Sequence, residues 1–246
     1  MKKIFISGVT GKVGKLLSSF VINDKTLLLV GGSSSITNKH FNKDIGELLG
    51  TKKLGITISE KIPDDLKVDV IVDFSSPKNA MDILESANKR EIPILIGTTG
   101  FLEDQLSKIN TLSKNIPILF APNTSQGIAV VKSLINSSDQ FFSADNHFHI
   151  EEIHHSEKKD SPSGTALELK NEILSIFPGA KVSIDSLREG INPGEHKLSI
   201  SLDNETIELT HRAENRSIFA KGALKGAVWL LGKGPGLYSM KDIYSS

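Results

Sequence analysis

Lys3-Ile4-Phe5-Ile6-Ser7-Gly8-Val9-Thr10-Gly11-Lys12-Val13-Gly14 is the stretch that decides the fold of the first half of the chain. A short apolar run stops at Gly8, and helical spacing through Val13, Leu16, Leu17 and Phe20 then carries Lys12–Asn23. Gly8, Gly11 and Gly14 therefore fall at a strand-to-helix turn. Glycine there lets the backbone turn tightly and lets a pyrophosphate approach the helix N-terminus, where the peptide dipoles favour negative charge. The spacing is G-x-x-G-x-x-G rather than G-x-G-x-x-G. The flanking strand and helix, more than the string itself, favour a dinucleotide loop over a merely tight turn.

The pattern repeats downstream. Thr26–Val30, Val68–Phe74, Ile94–Ile96 and Ile118–Ala121 read as brief buried strands, separated by helical stretches near Lys78–Lys89 and Leu102–Lys114. Such alternation predicts a parallel sheet with right-handed crossovers. Ligands of open α/β sheets lie beyond the carboxyl ends of the strands. Those ends are Gly8, Asp73-Phe74-Ser75, Gly97-Thr98-Thr99-Gly100 and Ala121-Pro122-Asn123-Thr124. After Thr124 the texture changes. A helix is predicted near Ile128–Asn136, strand structure over Asn146–His155, and a helix over Thr165–Phe177 with Ala166, Leu169, Ile173 and Phe177 on one face. Leu198–Leu202 and Thr206–Thr210 form a hairpin pattern around Asp203-Asn204-Glu205. Few helices among these strands imply an α+β second domain. Ile218–Leu231, with the only tryptophan, Trp229, is again helical and apolar.

Composition narrows the function. The 246 residues carry 29 Lys+Arg against 29 Asp+Glu, a balance that argues against a nucleic-acid partner. Hydrophobic content of 38% suffices for real cores, yet no window resembles a membrane span. The absence of cysteine removes disulfides, thiolate nucleophiles and cysteine-ligated zinc. Met1-Lys2-Lys3 before an apolar run imitates a signal peptide, but the run stops at Ser7-Gly8, short of the roughly 7–15 residues an h-region needs. A cytoplasmic protein is expected.

The chemistry is concentrated in Glu151-Glu152-Ile153-His154-His155-Ser156-Glu157-Lys158-Lys159-Asp160-Ser161-Pro162-Ser163-Gly164-Thr165-Ala166. Two imidazoles, a lysine four residues after the first, and a Pro-Ser-Gly-Thr helix start share one window. A proton donor, a cation and helix N-terminal N–H groups are what a site needs to hold a dicarboxylate and protonate it. The plainer readings are structural histidines, a solvated charged loop at Glu157–Asp160, and Ser163 as a helix cap. His147, His149 and His155 could share a strand face and hold zinc. Without cysteines or a spaced acid motif, no metal is expected.

Taken together, these motifs resemble the 4-hydroxy-tetrahydrodipicolinate reductase (dihydrodipicolinate reductase) family of lysine biosynthesis. The resemblance is carried by the glycine loop, Gly97-Thr98-Thr99-Gly100, Ala121-Pro122-Asn123, and above all His154-His155 through Lys158 to Pro162-Ser163-Gly164-Thr165-Ala166. Phe219-Ala220 and Trp229-Leu230 to Gly236-Leu237 extend it to nearly the whole chain. It implies reduction of a cyclic imine dicarboxylate by NADPH or NADH, with loss of water, in a homotetramer. It also implies a Rossmann-type dinucleotide-binding domain, 1–124 with 216–246, and an α+β substrate-binding and tetramerisation domain, 125–215. His154 and Lys158 become the catalytic pair, and His155, Ser163, Gly164 and Thr165 substrate contacts. Gly8, Val9, Thr10, Gly11, Lys12, Val13, Gly97, Thr98, Thr99, Ala121, Pro122, Asn123 and Thr124 become cofactor contacts.

The chain departs from the family's common pattern twice. Ser156 and Glu157 stand where more basic residues are expected, which softens the positive field around a substrate. The second strand runs into Gly31-Gly32-Ser33-Ser34-Ser35, with no acid to hold an adenosine ribose. With that repulsion gone and Lys12 and Lys39 nearby, NADPH is expected to bind at least as well as NADH. Of two rivals, one falls on particular residues and the other stays as the alternative. A short-chain dehydrogenase needs Tyr-x-x-x-Lys, but Asp242 follows Tyr238 at that spacing and the sequence offers no partner for Tyr244. A non-enzymatic NADP-sensing regulator would have no use for a His-His-x-x-Lys run beside a Ser-Gly-Thr helix start.

Overall fold

A computed structural model describes residues 1–244. Contacts divide the chain into two compact units, Met1–Thr124 with the stretch from Phe219 onward, and Ser125–Ile218.

The first unit begins with β1 (Lys2–Ser7), α1 (Lys12–Asn23), β2 (Leu27–Ser33), the short α2 (Ile45–Leu48), β3 (Ile58–Ser59) and β4 (Val70–Asp73). It continues with α3 (Pro77–Lys89), β5 (Ile94–Ile96), α4 (Glu103–Leu112) and β6 (Pro117–Phe120). Strand β2 runs past the predicted Val30 to Ser33. Its two glycines fit because a Cβ on Gly31 would lie 2.8 Å from the Phe5 ring and one on Gly32 2.9 Å from Val9. Phe5, Ile71, Ile94 and Ile118 stand in register across four strands. Helix α3 covers this row with Met81, Ile83, Leu84 and Ala87, and α4 adds Ile109. Each wholly buried isoleucine contributes about 1.5–3 kcal/mol, so this row is the main adhesive of the unit.

The second unit contains α5 (Gln126–Asn136), β7 (His147–His154), α6 (Gly164–Ile176), β8 (Lys181–Arg188), β9 (Glu195–Ser201) and β10 (Thr206–Arg212). Its sheet has the order β10-β9-β7-β8. β7 pairs antiparallel with β9 and parallel with β8, a strand that sequence periodicity does not reveal. Phe148 and Ile150 of β7, Leu198 and Ile200 of β9, and Val182 and Ile184 of β8 pack with Ala166, Leu169 and Ile173 of α6 and Val131 and Ile135 of α5.

The chain then forms α7 (Ser217–Leu230), β11 (Gly236–Tyr238) and α8 (Met240–Tyr244). β11 adds a parallel strand beside β6, completing a sheet ordered β11-β6-β5-β4-β1-β2-β3. Such a parallel sheet, with the order reversing between β1 and β4, is the Rossmann arrangement. Gly226 lets α7 approach that sheet, since a Cβ there would lie 2.6 Å from Leu119 and 3.0 Å from Leu95. Trp229 meets Tyr238 edge to face at 5.3 Å between ring centroids.

Candidate active site

In the first unit, the glycine loop rests on the end of β2, where the Gly8 and Val9 amides donate to the Ser33 carbonyl, each at 3.0 Å. Gly8 has φ +79°, and a Cβ would lie 2.1 Å from the Phe74 carbonyl oxygen. A Cβ on Gly14 would lie 2.2 Å from the Gly8 carbonyl oxygen, so this glycine lets α1 close on the loop. Gly11 is exposed and caps α1 with no side-chain hydrogen bond. The three glycines therefore divide the work: Gly8 and Gly14 permit the turn, while Gly11 leaves the helix start open to an anion.

A cleft of about 530 Å³ lies there, lined by Gly8, Thr10, Gly11, Ser34, Ser35 and Asn38 on one side and by Phe74, Ser75, Lys78 and Asn79 on the other. It opens at the reversal of strand order, where dinucleotides bind in this architecture. Asn38 donates to the Thr10 hydroxyl at 3.1 Å and ties the serine loop to the glycine loop. Glu60 and Asp82 also line the cleft. Gly32 pairs with Ile58 and Ser33 with Ser59, so Glu60 stands one strand over from Ser34. The lysine among the lining residues is Lys78, not Lys12, which takes the first helical position of α1.

Beneath the cleft Asp73 is fully buried. It accepts from Ser75 at 2.6 Å and Thr98 at 2.5 Å. Burial raises its pKa, although bonds from Ser7, Ser75 and Thr98 oppose the rise. The Thr98 hydroxyl also accepts from the Ser75 amide at 2.8 Å, so it organises the cleft floor from below. Val9 is buried, and a Cβ on Gly97 would lie 2.3 Å from the Phe74 ring. Thr124 donates to the Phe219 carbonyl at 2.7 Å. Thr99 and Pro122 are exposed, Ala121 is buried, and Asn123 and Val13 are half-buried.

The second unit builds its site from one face of the four-stranded sheet. Residues that alternate along β7 share a face, so Phe148, Ile150, Glu152 and His154 all point inward. The same parity holds for Val182, Ile184 and Arg188 on β8, for His196, Leu198 and Ile200 on β9, and for Leu209 and His211 on β10. One end of this face is the apolar core. The other end is a buried polar group of Glu152, His154, Arg188, His196 and His211.

Glu152 is the hub of that group. Its Oε1 accepts from Arg188 at 2.7 Å and from the Ser163 amide at 3.1 Å, and its Oε2 takes the Nδ1 of His154. Burial alone would raise the carboxyl, but bonds from Arg188, Ser186 and His154 hold it well below the usual carboxylate range. An ionised carboxylate only accepts, so His154 Nδ1 carries the proton. Arg188 also donates to the Asp160 carbonyl at 2.7 Å, fastening the loop that carries Lys158. Lys158 Nζ holds both Asp160 oxygens, at 2.8 and 2.7 Å. Lys158 and the Gly164 amide together depress the Asp160 carboxyl against its burial. The lysine and the start of α6 thus already bind a carboxylate together.

Both helices of the unit start on serines bonded to imidazoles. Ser163 accepts from the Ala166 amide at 3.1 Å and meets His196 Nε2 at 3.2 Å. Ser125 caps α5 and meets His211 Nε2 at 3.1 Å. Ser163 is buried, so its polar atoms support the helix start from within, while Gly164 is exposed. Thr165 and His155 are half-buried, and the His155 amide donates to the Asn192 carbonyl at 2.8 Å. His155 lies past the end of β7 and so does not continue the face of His147 and His149. The carboxylate and imidazoles that do converge are Glu152, His154 and His196. Arg188 already neutralises that carboxylate.

Burial, followed by the nearness of His154, pushes His196 down to about 3. Burial also lowers His211, and lowers His154 despite the raising effect of Glu152. In unfolded chain these groups titrate near 6.5, so below that value the unfolded state binds more protons. Stability is therefore fully present above about pH 6.5 and is lost as pH falls toward the native values. At pH 5 one such histidine costs about 2 kcal/mol, which for a chain of this size is about 4–8 °C in Tm. Calorimetry at pH 7.5 and pH 5 measures this, and His196→Asn should flatten the dependence. Equal melting temperatures at the two pH values would contradict it.

Sequence reasoning named His154, Lys158 and the Ser163–Thr165 helix start but passed over Glu152, Arg188 and His196. Parity was the available signal. Glu152 falls in step with Phe148 and Ile150, and His196 with Leu198 and Ile200, so both had to face the core.

Comparison with known proteins agrees over the full length. The model of the dihydrodipicolinate reductase N-terminus matches residues 2–124, and that of its C-terminus residues 127–244. The 4-hydroxy-tetrahydrodipicolinate reductase of Buchnera aphidicola subsp. Cinara cedri is 36% identical, over 98% of this chain and 96% of the relative. That of Hahella chejuensis is 33% identical, over 99% and 98%. Among solved structures, dipicolinate-bound dihydrodipicolinate reductase from Paenisporosarcina sp. TG-14 superposes with a TM-score of 0.77 at 22% identity, covering 99% of both chains. Amine dehydrogenase from Mycobacterium smegmatis, at 0.70 and 9% identity over 98% of this chain and 95% of that one, shares the fold alone. With both of its halves matched and relatives above 30% identity along almost all of its length, the chain belongs to the dihydrodipicolinate reductase family.

Proposed function

We propose that this protein is a cytoplasmic 4-hydroxy-tetrahydrodipicolinate reductase of the diaminopimelate and lysine pathway. It converts a cyclic imine dicarboxylate to tetrahydrodipicolinate, with uptake of one hydride and one proton and loss of water. The observation that carries this reading is the joint hold of Lys158 and the α6 start on a carboxylate, in the unit that anchors His154. Lys158 binds a substrate carboxylate and has a proton to give at Nζ. His154 presents Nε2, and His155, Ser163, Gly164 and Thr165 shape the surrounding pocket.

The bound nicotinamide nucleotide, NADPH or NADH, supplies the hydride. The first unit fits such a group. The Gly8–Val13 loop offers an open helix start, the cleft continues it, and Gly97–Thr99 and Ala121–Thr124 form neighbouring strand ends. Coenzyme preference is set at the ribose end. Ser34 removes the acid from β2, while Glu60 brings one back from β3. Exposed charges of this kind contribute on the order of 1 kcal/mol, so dissociation constants for NADPH and NADH should agree within about tenfold. Glu60→Gln should move the ratio toward NADPH, and added salt should shrink the shift. A ratio indifferent to Glu60 would place ribose recognition elsewhere.

Assembly as a homotetramer belongs to the same proposal. The outward face of the four-stranded sheet carries cross-strand ion pairs, Arg212 with Glu195 at 2.7 Å and Lys197 with Glu208 at 3.4 Å. Most soluble oligomers are homo-oligomers with closed symmetry. Light scattering of the purified protein decides it, and a monomeric mass would exclude the tetramer.

The activity is tested by mixing purified protein, reduced nucleotide and the hydroxy-tetrahydrodipicolinate. Consumption of nucleotide that needs the substrate, and that pyridine-2,6-dicarboxylate inhibits competitively, is expected. Nucleotide binding without consumption would defeat the reading.

A further inference from the structure

We propose that Glu152 is the positioning residue of this site: its buried carboxylate fixes the tautomer of His154 and the start of α6, and Arg188 keeps it charge-balanced. This deepens the reading above and rests on it for the part His154 plays in the reaction. The tautomer itself is independent of any reaction.

The geometry is complete on every side of the carboxylate. Glu152 is fully buried, yet both oxygens are engaged, Oε2 by His154 Nδ1 and Oε1 by Arg188 and the Ser163 amide. Those partners come from the end of its own strand, from β8 and from the α6 N-cap. An isolated buried carboxylate is strongly disfavoured, and the guanidinium offsets that cost. Arg188 then reaches the Asp160 carbonyl, so the loop bearing Lys158 hangs from the same centre. One acid thereby ties together the imidazole, the lysine loop and the helix start.

The consequence is chemical. With Nδ1 anchored to a group that only accepts, neutral His154 keeps its lone pair on Nε2, and a second proton must enter there. Nε2 faces Gly194, where a Cβ would lie 2.9 Å from it, so any larger residue at 194 would press on the working nitrogen. The groups that set the charge of His154 are Glu152 on its own strand, Arg188 on β8, His196 on β9 and Lys158 in the loop. Glu152 is the anion among them and favours the imidazolium. The others oppose it or, as with buried His196, stay neutral.

Glu152→Gln tests this in the full chain. The amide nitrogen can donate to Nδ1, which lets neutral His154 move its proton to Nε2. Nitrogen-15 NMR of histidine-labelled protein without substrate should show His154 as the Nδ1–H tautomer in the parent and as Nε2–H, or a mixture, in the variant. With nucleotide and substrate, kcat should fall about a hundredfold while the substrate KM stays within about threefold. The acidic limb of the pH profile should move to lower pH, because the anion that favours the imidazolium is gone. Glu152→Gln with Arg188→Met removes the stranded guanidinium, so a folding defect in the single variant does not obscure the outcome. Its tautomer and kcat should follow the single variant's. A parent His154 protonated at Nε2, or a variant that keeps both parent tautomer and parent kcat, would overturn the proposal. A parent that shows the Nδ1–H tautomer but no turnover would remove the reductase reading and leave the tautomer control in place.

Discussion

Lys158→Ala is expected to lower kcat/KM by about three orders of magnitude while leaving NADPH affinity within about twofold. Two losses combine. The Nζ cation that grips a carboxylate at the start of α6 disappears, a charge-assisted contact of about 1.5–3 kcal/mol. On the proposed mechanism, the proton for the reduced ring disappears with it. Nucleotide binding should survive, because Lys158 belongs to the second unit and the nucleotide cleft to the first. Folding should survive too. The released Asp160 side chain is 56% exposed and can be hydrated in place. Steady-state kinetics beside nucleotide titration check this, and near-parent turnover would move the proton donor to another residue.

His154→Ala should cost roughly two to four orders of magnitude in kcat. Glu152 keeps Arg188 and the Ser163 amide when the ring is gone, so the buried carboxylate remains compensated. The variant should therefore melt cooperatively and bind nucleotide normally, and its loss is a loss of chemistry. In the parent, burial lowers the His154 pKa against the pull of Glu152. The limb of the pH profile that His154 governs should lie below the ordinary histidine range, and it should vanish in His154→Ala. Unchanged turnover, or a variant that fails to fold, would show that the imidazole is structural.

Much of this was legible from the residues. The strand-to-helix turn at Gly8–Gly14 is a local event, fixed by apolar run, glycine and helical spacing, so β1 and α1 follow directly. The same holds for the hairpin of β9 and β10 around Asp203-Asn204-Glu205. Strand β8 was hidden for a physical reason. It is an edge strand, and its apolar alternation through Val182 and Ile184 breaks at Ser186-Leu187. β11 has three residues and exists only because Pro117–Leu119 supplies a partner. Pairings between distant segments leave little local signature.

The site shows the same division. His154, Lys158 and Ser163 are close in sequence, and their residue types announce chemistry. Arg188 and His196 reach the same carboxylate or its neighbours from strands far along the chain, and only sheet register brings them there. Glu152 stands in the same window, yet residue type alone gives it no role. Its parity with Phe148 and Ile150 is what turns it inward. Ser34 likewise suggested a ribose site free of acid, until pairing of β2 with β3 set Glu60 beside it.

Hydride transfer itself is the most direct test of the central claim. Purified protein is incubated with NADPH carrying deuterium at the transferable position and with 4-hydroxy-tetrahydrodipicolinate, and the product is read by mass spectrometry. The expected result is tetrahydrodipicolinate carrying one deuterium per molecule, formed by the parent and nearly absent with Lys158→Ala. Tetrahydrodipicolinate without deuterium, or deuterated nucleotide bound and left intact beside unchanged substrate, would contradict the account.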